Sequence, residues 1–380
     1  MTSRRVFLKS GGLALVTMGF APSFLARTVH AAGTRKKLLI AIFQRGAVDG
    51  LNMVVPFGDP GYYAARPSIA IAPPGRPDGA LDLDGFFGLH PRMRALQPLW
   101  QAGHLAVVHA SGSPDATRSH FDAQDYMESG TPGVKSTREG WLNRYLQASR
   151  DDRNPLRAVA LTAQMPRALQ GHAPALAVGN LDDFTVKAGA GMSTSLESAY
   201  ASAADQVLNG TAAEAFAAMR TLSRQRTREA TPSDRADYPK SPFGQALREI
   251  AGLAKSDVGL EIAFAESTQW DHHANEGGAS GQIANRLDDF ARGIAALVAD
   301  LGDRMADTVI LTMSEFGRAV AQNGSGGTDH GHGNAMLVVG GDVRGGRAYG
   351  RWPGLQPEQR YEGRDLAITT DFRDLVAEVL

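Results

Sequence analysis

The sequence predicts an α/β fold, a three-layer α/β/α sandwich whose mostly parallel central sheet is covered by helices on both faces. Short apolar runs without polar alternation recur along the chain, helix-like stretches separate several of them, and polar, glycine-containing loops follow. The first run, KLLIAIF at residues 37–43, is continuous, as expected of a strand buried on both faces. Further runs lie at 105–109, 159–161, 259–265, 308–312 and 335–339, with helical stretches at 92–101, 119–128, 242–255 and 281–301. Residues 180–240 change to Ala, Ser, Thr and Arg and read as a mostly helical insertion or cap, with a solvated helical linker as the alternative. The Gly/Pro-rich stretch 73–79 reads as a surface loop, and no internal repeat interrupts the pattern.

Ahead of the first strand, Ser3-Arg4-Arg5-Val6-Phe7-Leu8-Lys9 leads into a weakly apolar run and a small-residue exit at Val29-His30-Ala31-Ala32. This charged, apolar, cleavable order predicts a twin-arginine signal peptide over residues 1–31, hence the Tat translocase as partner and a periplasmic or otherwise exported destination. The run is short and broken by Gly11, Gly12, Gly19 and Pro22, so no stable membrane anchor is expected. One α/β domain over 36–380 remains.

Composition narrows the chemistry. Thirty-nine Lys and Arg nearly balance 40 Asp and Glu, for a net charge of −1, so no basic surface argues for nucleic acid. The absence of cysteine excludes disulfides, thiolate catalysis and Cys-ligated metal, leaving His, Asp, Glu or Ser to hold an ion.

In open α/β sheets functional groups collect in loops at the carboxyl ends of strands, and four candidate groups fall in such loops. Asp49 follows the first strand in a Gly-flanked loop, where a carboxylate takes a cation or simply forms an Asx-type turn. In Trp270-Asp271-His272-His273-Ala274-Asn275-Glu276, an extended backbone would put Asp271 and His273 on one side, a pairing suited to zinc or manganese. Thr312-Met313-Ser314-Glu315-Phe316-Gly317-Arg318 is followed by Gly327-Thr328-Asp329-His330-Gly331-His332-Gly333-Asn334; four of the ten histidines fall in these last two groups. In Thr117-Arg118-Ser119-His120-Phe121-Asp122, Ser119 is placed to cap a helix, and the same place favours an anion. Each group has a plainer reading as a loop or a helix cap.

The order RRVFLK, LLIAIFQRGAVDGLN, RSHFDAQDYMESG, WDHHANE, then LTMSEFGR with GTDHGHGN, resembles the Tat-exported domain-of-unknown-function family 1501 across nearly the whole chain. That family is similar to the alkaline phosphatase and sulfatase superfamily. The resemblance implies an alkaline-phosphatase-like sandwich and a site for one or two divalent ions. Asp49 would match a first metal-binding Asp, Asp271 and His273 a later Asp and His, and His330 a late metal-binding His. The chain departs from the pattern at Ser314-Glu315, where the superfamily has Asp-His, and no nucleophile signature is intact around Ser119.

Two functions follow from different classes. The first is an exported metal-dependent hydrolase or transferase acting on a small phosphate or sulfate ester. Asp49, Asp271, His273, Glu315 and His330 would hold metal, His332 would be a further ligand or an outer partner, Ser119 would attack, and Arg118 and His120 would steady the anion. The second is an exported binding or assembly protein that keeps the fold without turnover.

Overall fold

The structure, a computed structural model, describes residues 37–149, 154–180 and 236–380. The expected signal peptide and nearly all of the expected helical insertion lie outside the described residues. No helix among the described residues is long and apolar enough to cross a membrane.

The expected three-layer α/β arrangement is present. In chain order the strands are β1 (Leu38–Gln44), β2 (Val54–Val55), β3 (Leu81–Asp82), β4 (Gly88–Leu89), β5 (Leu105–Gly112), β6 (Ala158–Ala160), β7 (Leu176–Ala177), β8 (Ile262–Ser267), β9 (Thr308–Ser314), β10 (Asn334–Gly340), β11 (Arg347–Tyr349) and β12 (Thr370–Asp371). The helices are α1 (Gly50–Met53), α2 (Pro60–Ala65), α3 (Gln97–Gln101), α4 (His120–Ser129), α5 (Trp141–Ala148), α6 (Pro242–Lys255), α7 (Gln282–Leu301) and α8 (Phe372–Val379). The main sheet runs β11-β5-β10-β9-β1-β8-β6-β7, with β12 also on β5, while β2, β3 and β4 form a small separate sheet. Every pairing in the main sheet is parallel except those of β10, which is antiparallel to both β5 and β9.

The continuous apolar run of β1 has the expected cause. Leu38, Ile40 and Ile42 pack into a core with residues of α6 and α7, while Leu39, Ala41 and Phe43 pack into another with residues of α4, α5 and α8. Alternate side chains of one strand thus fill two helical layers. Helix α7 buries Ile283, Leu287, Phe290, Ile294, Leu297 and Leu301, a stripe of three- and four-residue steps that joins the core shared with β1. Helix α6 begins where Ser241 accepts a hydrogen bond from the Gly244 amide and Pro242 occupies the first turn, and Phe243 stacks on Phe290 at 5.6 Å between centroids.

The helix expected at 92–101 is instead a 3-10 segment, Pro91–Leu96, followed by α3, because Met93 leaves helical geometry and breaks the run. Helix α5 carries Trp141, Leu142 and Leu146 in the second core and was not anticipated from the sequence. The 73–79 stretch is a turn-rich surface loop, as expected.

Two histidines inside this frame have both ring nitrogens engaged. His90 Nδ1 accepts from the Arg92 amide at 3.1 Å and its Nε2 donates to the Gly278 carbonyl at 3.0 Å. His109 Nδ1 accepts from the Ala110 amide at 2.9 Å, Nε2 donates to the Val54 carbonyl at 3.0 Å, and the ring stacks on Phe87. Burial pushes each down to about 4, since a second proton would both charge a buried ring and cancel an acceptor. Between pH about 6.5 and 4 the unfolded chain therefore binds more protons than the fold, and stability falls as pH falls through that window. The loss is on the order of 3 kcal/mol per histidine. Urea unfolding across that range should show a falling midpoint, and His109→Gln should flatten the decline; an unchanged slope in the variant would count against this assignment.

Candidate metal centre

Five adjacent strands bring the candidate residues together. The carboxyl ends of β5, β9, β1 and β8 lie along one edge, and the amino end of β10 lies there too because β10 runs the opposite way. His120 opens α4 after β5, Glu315 directly follows β9, Gly46 and Asp49 follow β1, Asp271 and His273 follow β8, and His330 precedes β10.

Two glycine contacts hold these loops close. Gly46 adopts φ +112, and a Cβ there would come 2.8 Å from the Asp271 amide nitrogen. A Cβ at Gly317 would collide with the Gly333 carbonyl. Between the last two motifs, the amides of Gly317 and Gly331 donate to the carbonyls of His332 and Gly317 at 2.9 and 2.8 Å, which ties SEFGR to TDHGHGN.

At the centre, His120, Asp271 and His330 offer donor atoms that lie within 4.8 Å of one another, and they form the one group of this kind among the described residues. His120 Nε2 and His330 Nε2 are 3.0 Å apart. His273 Nε2 lies 3.0 Å from His330 Nε2 and 3.0 Å from Asp271 Oδ1. Each imidazole is oriented from behind. His120 Nδ1 donates to Glu315 Oε1 at 2.8 Å, His330 Nδ1 donates to the Arg118 carbonyl at 2.9 Å, and His273 Nδ1 lies 3.5 Å from Asp329 Oδ1. A neutral ring that donates through Nδ1 presents a lone pair at Nε2, which is the arrangement of metal-binding histidines with carboxylate or carbonyl partners. Two such lone pairs 3.0 Å apart repel unless a proton or a cation lies between them. The donor set therefore fits a divalent ion, and its mix of imidazole and carboxylate suits a borderline one such as zinc.

Charges nearby act on these groups. The hydrogen bond to Glu315 raises His120 above the ordinary histidine range against the opposing effect of burial. Burial lowers His330. Burial raises Asp271, but the Arg318 hydrogen bond and charge outweigh it and leave the carboxyl below its usual range. Arg318, fully buried, reaches Asp271 Oδ1 at 2.6 Å through Nη1, while its Nε and Nη2 donate to the hydroxyl and carbonyl of Thr328.

Several expected ligands stand elsewhere. Asp49 is paired with Arg66 in the interior, outside the His120–Asp271–His330 group, and also caps α1 by accepting from the Leu51 amide at 3.1 Å, the turn-forming role that was its plainer reading. Glu315 lies behind His120, outside the His120–Asp271–His330 group, where Oε1 also accepts from the Gly46 amide at 2.8 Å and Gln124 Nε2 at 2.9 Å. His332 is buried against Tyr361, rings 4.2 Å apart, outside the group. His120, expected to steady an anion, belongs to the group itself. The Arg118 guanidinium is spent on Asp365 and Glu362, at 2.6 and 2.7 Å, and serves the centre through its backbone carbonyl. Ser119 occupies the N-cap position of α4 but makes no side-chain cap bond and is exposed. Asp271 and His273 do meet, although their segment is a turn and not a strand, with the His273 amide donating to the Asp271 carbonyl at 3.2 Å.

Arg318 and Glu276 lie inside the quoted motifs but had been given no role, and Arg66 lies in none. A buried cation needs a buried anion, so the only cue to Arg66 in the sequence was the carboxylate at Asp49.

Residues 100–378 match the family described as protein of unknown function DUF1501. The chain belongs to that family. This DUF1501 protein is also similar to the C-terminal periplasmic domain of EcEptC from Escherichia coli in complex with zinc, at 10% identity and a TM-score of 0.41, over 84% of this chain and 77% of that one. A protein in the alkaline phosphatase superfamily from Vibrio parahaemolyticus is similar at 9% identity and a TM-score of 0.35, over 91% of the DUF1501 chain and 70% of the other. No curated protein matches.

Because the hydrogen bond to Glu315 is the first cause that raises His120, Glu315→Gln should lower the His120 titration midpoint in metal-free protein. Proton NMR of the imidazole Cε1–H follows it directly. An unmoved midpoint would mean that the 2.8 Å contact carries no charge interaction.

Proposed function

We propose that this protein is an exported metal-dependent hydrolase or transferase of phosphate or sulfate esters. The observation that carries the reading is the convergence of His120, His330 and His273 Nε2 on Asp271, each ring oriented through Nδ1. His120, Asp271 and His330 would hold zinc or manganese, with His273 beside them. Such an ion polarises an ester oxygen and lowers the pKa of an oxygen nucleophile.

The chain's own groups supply the rest. His120 is the first residue of α4, and a helix amino end favours an anionic ester. Ser119 is the candidate nucleophile, since its hydroxyl is unused by the helix cap and it is joined directly to His120. Glu315 fixes the His120 ring, and Arg318 holds Asp271 ionised. An exported binding or assembly protein is the second reading. It is favoured by the engagement of the Asp49 carboxylate and the Arg118 guanidinium, both expected in the reacting set, in ion pairs.

Elemental analysis of protein purified without chelator should find metal that Asp271→Ala and His330→Ala lose. Uptake by metal-free protein should release protons and strengthen as pH rises, because protons compete for the Nε2 lone pairs. Metal with turnover of a phosphate or sulfate ester that Ser119→Ala slows at least about 100-fold supports the enzyme. Metal without turnover across an ester panel supports the binding protein, and no metal after reloading with zinc and manganese rejects the centre.

Export through the Tat route belongs to the same reading and rests on Arg4-Arg5. Replacing both with Lys should hold the full chain in the cytoplasm; unchanged export would reject the route.

A further inference from the structure

Beneath the histidine cluster lies a second set of charges. Asp49 and Glu276 are buried, at 1% and 0% exposure, and the charge of each acts on the other. Two neighbouring buried carboxyl groups are a natural seat for a cation, and a guanidinium already stands against Asp49. The five N–H groups of Arg66 all have acceptors: Nε donates to the Val320 carbonyl at 2.9 Å, Nη1 to Asp49 Oδ2 and to Asn52 Oδ1 at 2.9 Å, and Nη2 to Asp49 Oδ1 at 3.0 Å and the Ala319 carbonyl at 3.0 Å. Both Asp49 oxygens are thus taken in a bidentate pair.

Resting on the metal reading above, we propose that the chain holds a single divalent ion, at His120, Asp271 and His330, and that Arg66 is the permanent cation of the Asp49–Glu276 pair, closing that position to metal.

Three observations favour this division. The Arg66 and Asp49 side chains are 0% and 2% exposed and closed off from solvent, whereas those of Asp271 and His273 are 42% and 45% exposed and open to it. Each buried guanidinium already faces a carboxylate, Arg66 with Asp49 and Arg318 with Asp271, while burial and then the Asp49 charge push the Glu276 carboxyl well up. A divalent ion beside Asp49 would sit against two buried guanidinium groups. The layers are also connected, since Thr328 Oγ1 donates to Glu276 Oε2 at 2.9 Å and receives Arg318 Nε at 3.2 Å, while the same Arg318 grips Asp271. Deep charges thus position the outer carboxylate without metal of their own.

Metal stoichiometry of the full-length protein, loaded with excess zinc and then desalted, tests this without recourse to activity. About one equivalent is expected in the wild type, kept within about twofold by Asp49→Asn and lost by His330→Ala. Asp49→Asn strands a buried guanidinium and is prone to misfold, so the neutral double variant Asp49→Asn/Arg66→Met gives the same reading with less penalty. Two equivalents in the wild type, or loss of the ion in a folded Asp49 variant, would overturn the single-ion proposal and leave the metal reading standing. No zinc in the wild type would overturn both.

Discussion

Strand β10 runs antiparallel between β9 and β5, and that reversal decides which side chains meet. Were it parallel, its amino end would lie at the far edge of the sheet, and His330, four residues ahead of Asn334, would be carried away from Asp271. Reversed, it delivers His330 to the edge where β5, β9, β1 and β8 end. The placement is then locked by backbone bonds between Gly317, Gly331 and His332, so the histidine loop is held by the motif that also carries Glu315 and Arg318. One strand direction thus joins residues from four separate parts of the chain.

Electrostatics then separates this edge into two levels. Guanidinium groups neutralise carboxylates where water cannot reach, because an unpaired buried charge costs several kcal/mol. Imidazoles face solvent, where their protons exchange and their lone pairs remain accessible. Arg318 belongs to both levels: buried itself, it holds the half-exposed Asp271 in its charged form. The outer cluster can change its charge state, while the inner one, with Arg66 fully satisfied by five acceptors, is fixed.

The fold was legible where burial wrote a long signal. The run at 37–43 became β1, the helical stretch at 242–255 became α6, and the α7 stripe was visible at full length. Short pieces such as β7, β11 and β12 were not legible, since two or three residues carry no period. Strand direction was also hidden: the residues 335–339 look alike in either sense, and only the pairing reveals that β10 is reversed. At the site, residue types were legible and roles were not. Asp271, His273 and His330 meet, but His120 stands in the group and Glu315 behind it, an exchange of the expected places, because that choice depends on which edge of an imidazole is turned inward.

The exchange has a physical cause at Ser314-Glu315. The superfamily that the sequence resembles has Asp-His there, and this chain lacks that imidazole. His120, Gly46 and Gln124 converge on Glu315 Oε1, which sets that carboxylate behind the His120 ring. The Ser314 hydroxyl lies 2.7 Å from the Gln44 carbonyl and 3.1 Å from Glu315 Oε2. An imidazole comes from α4 instead, so the group draws on the loops at the ends of β5, β8 and β10. Ser119 is next in the chain to that imidazole and its hydroxyl is left unused by the helix cap, while Asp49 keeps Arg66 as its partner.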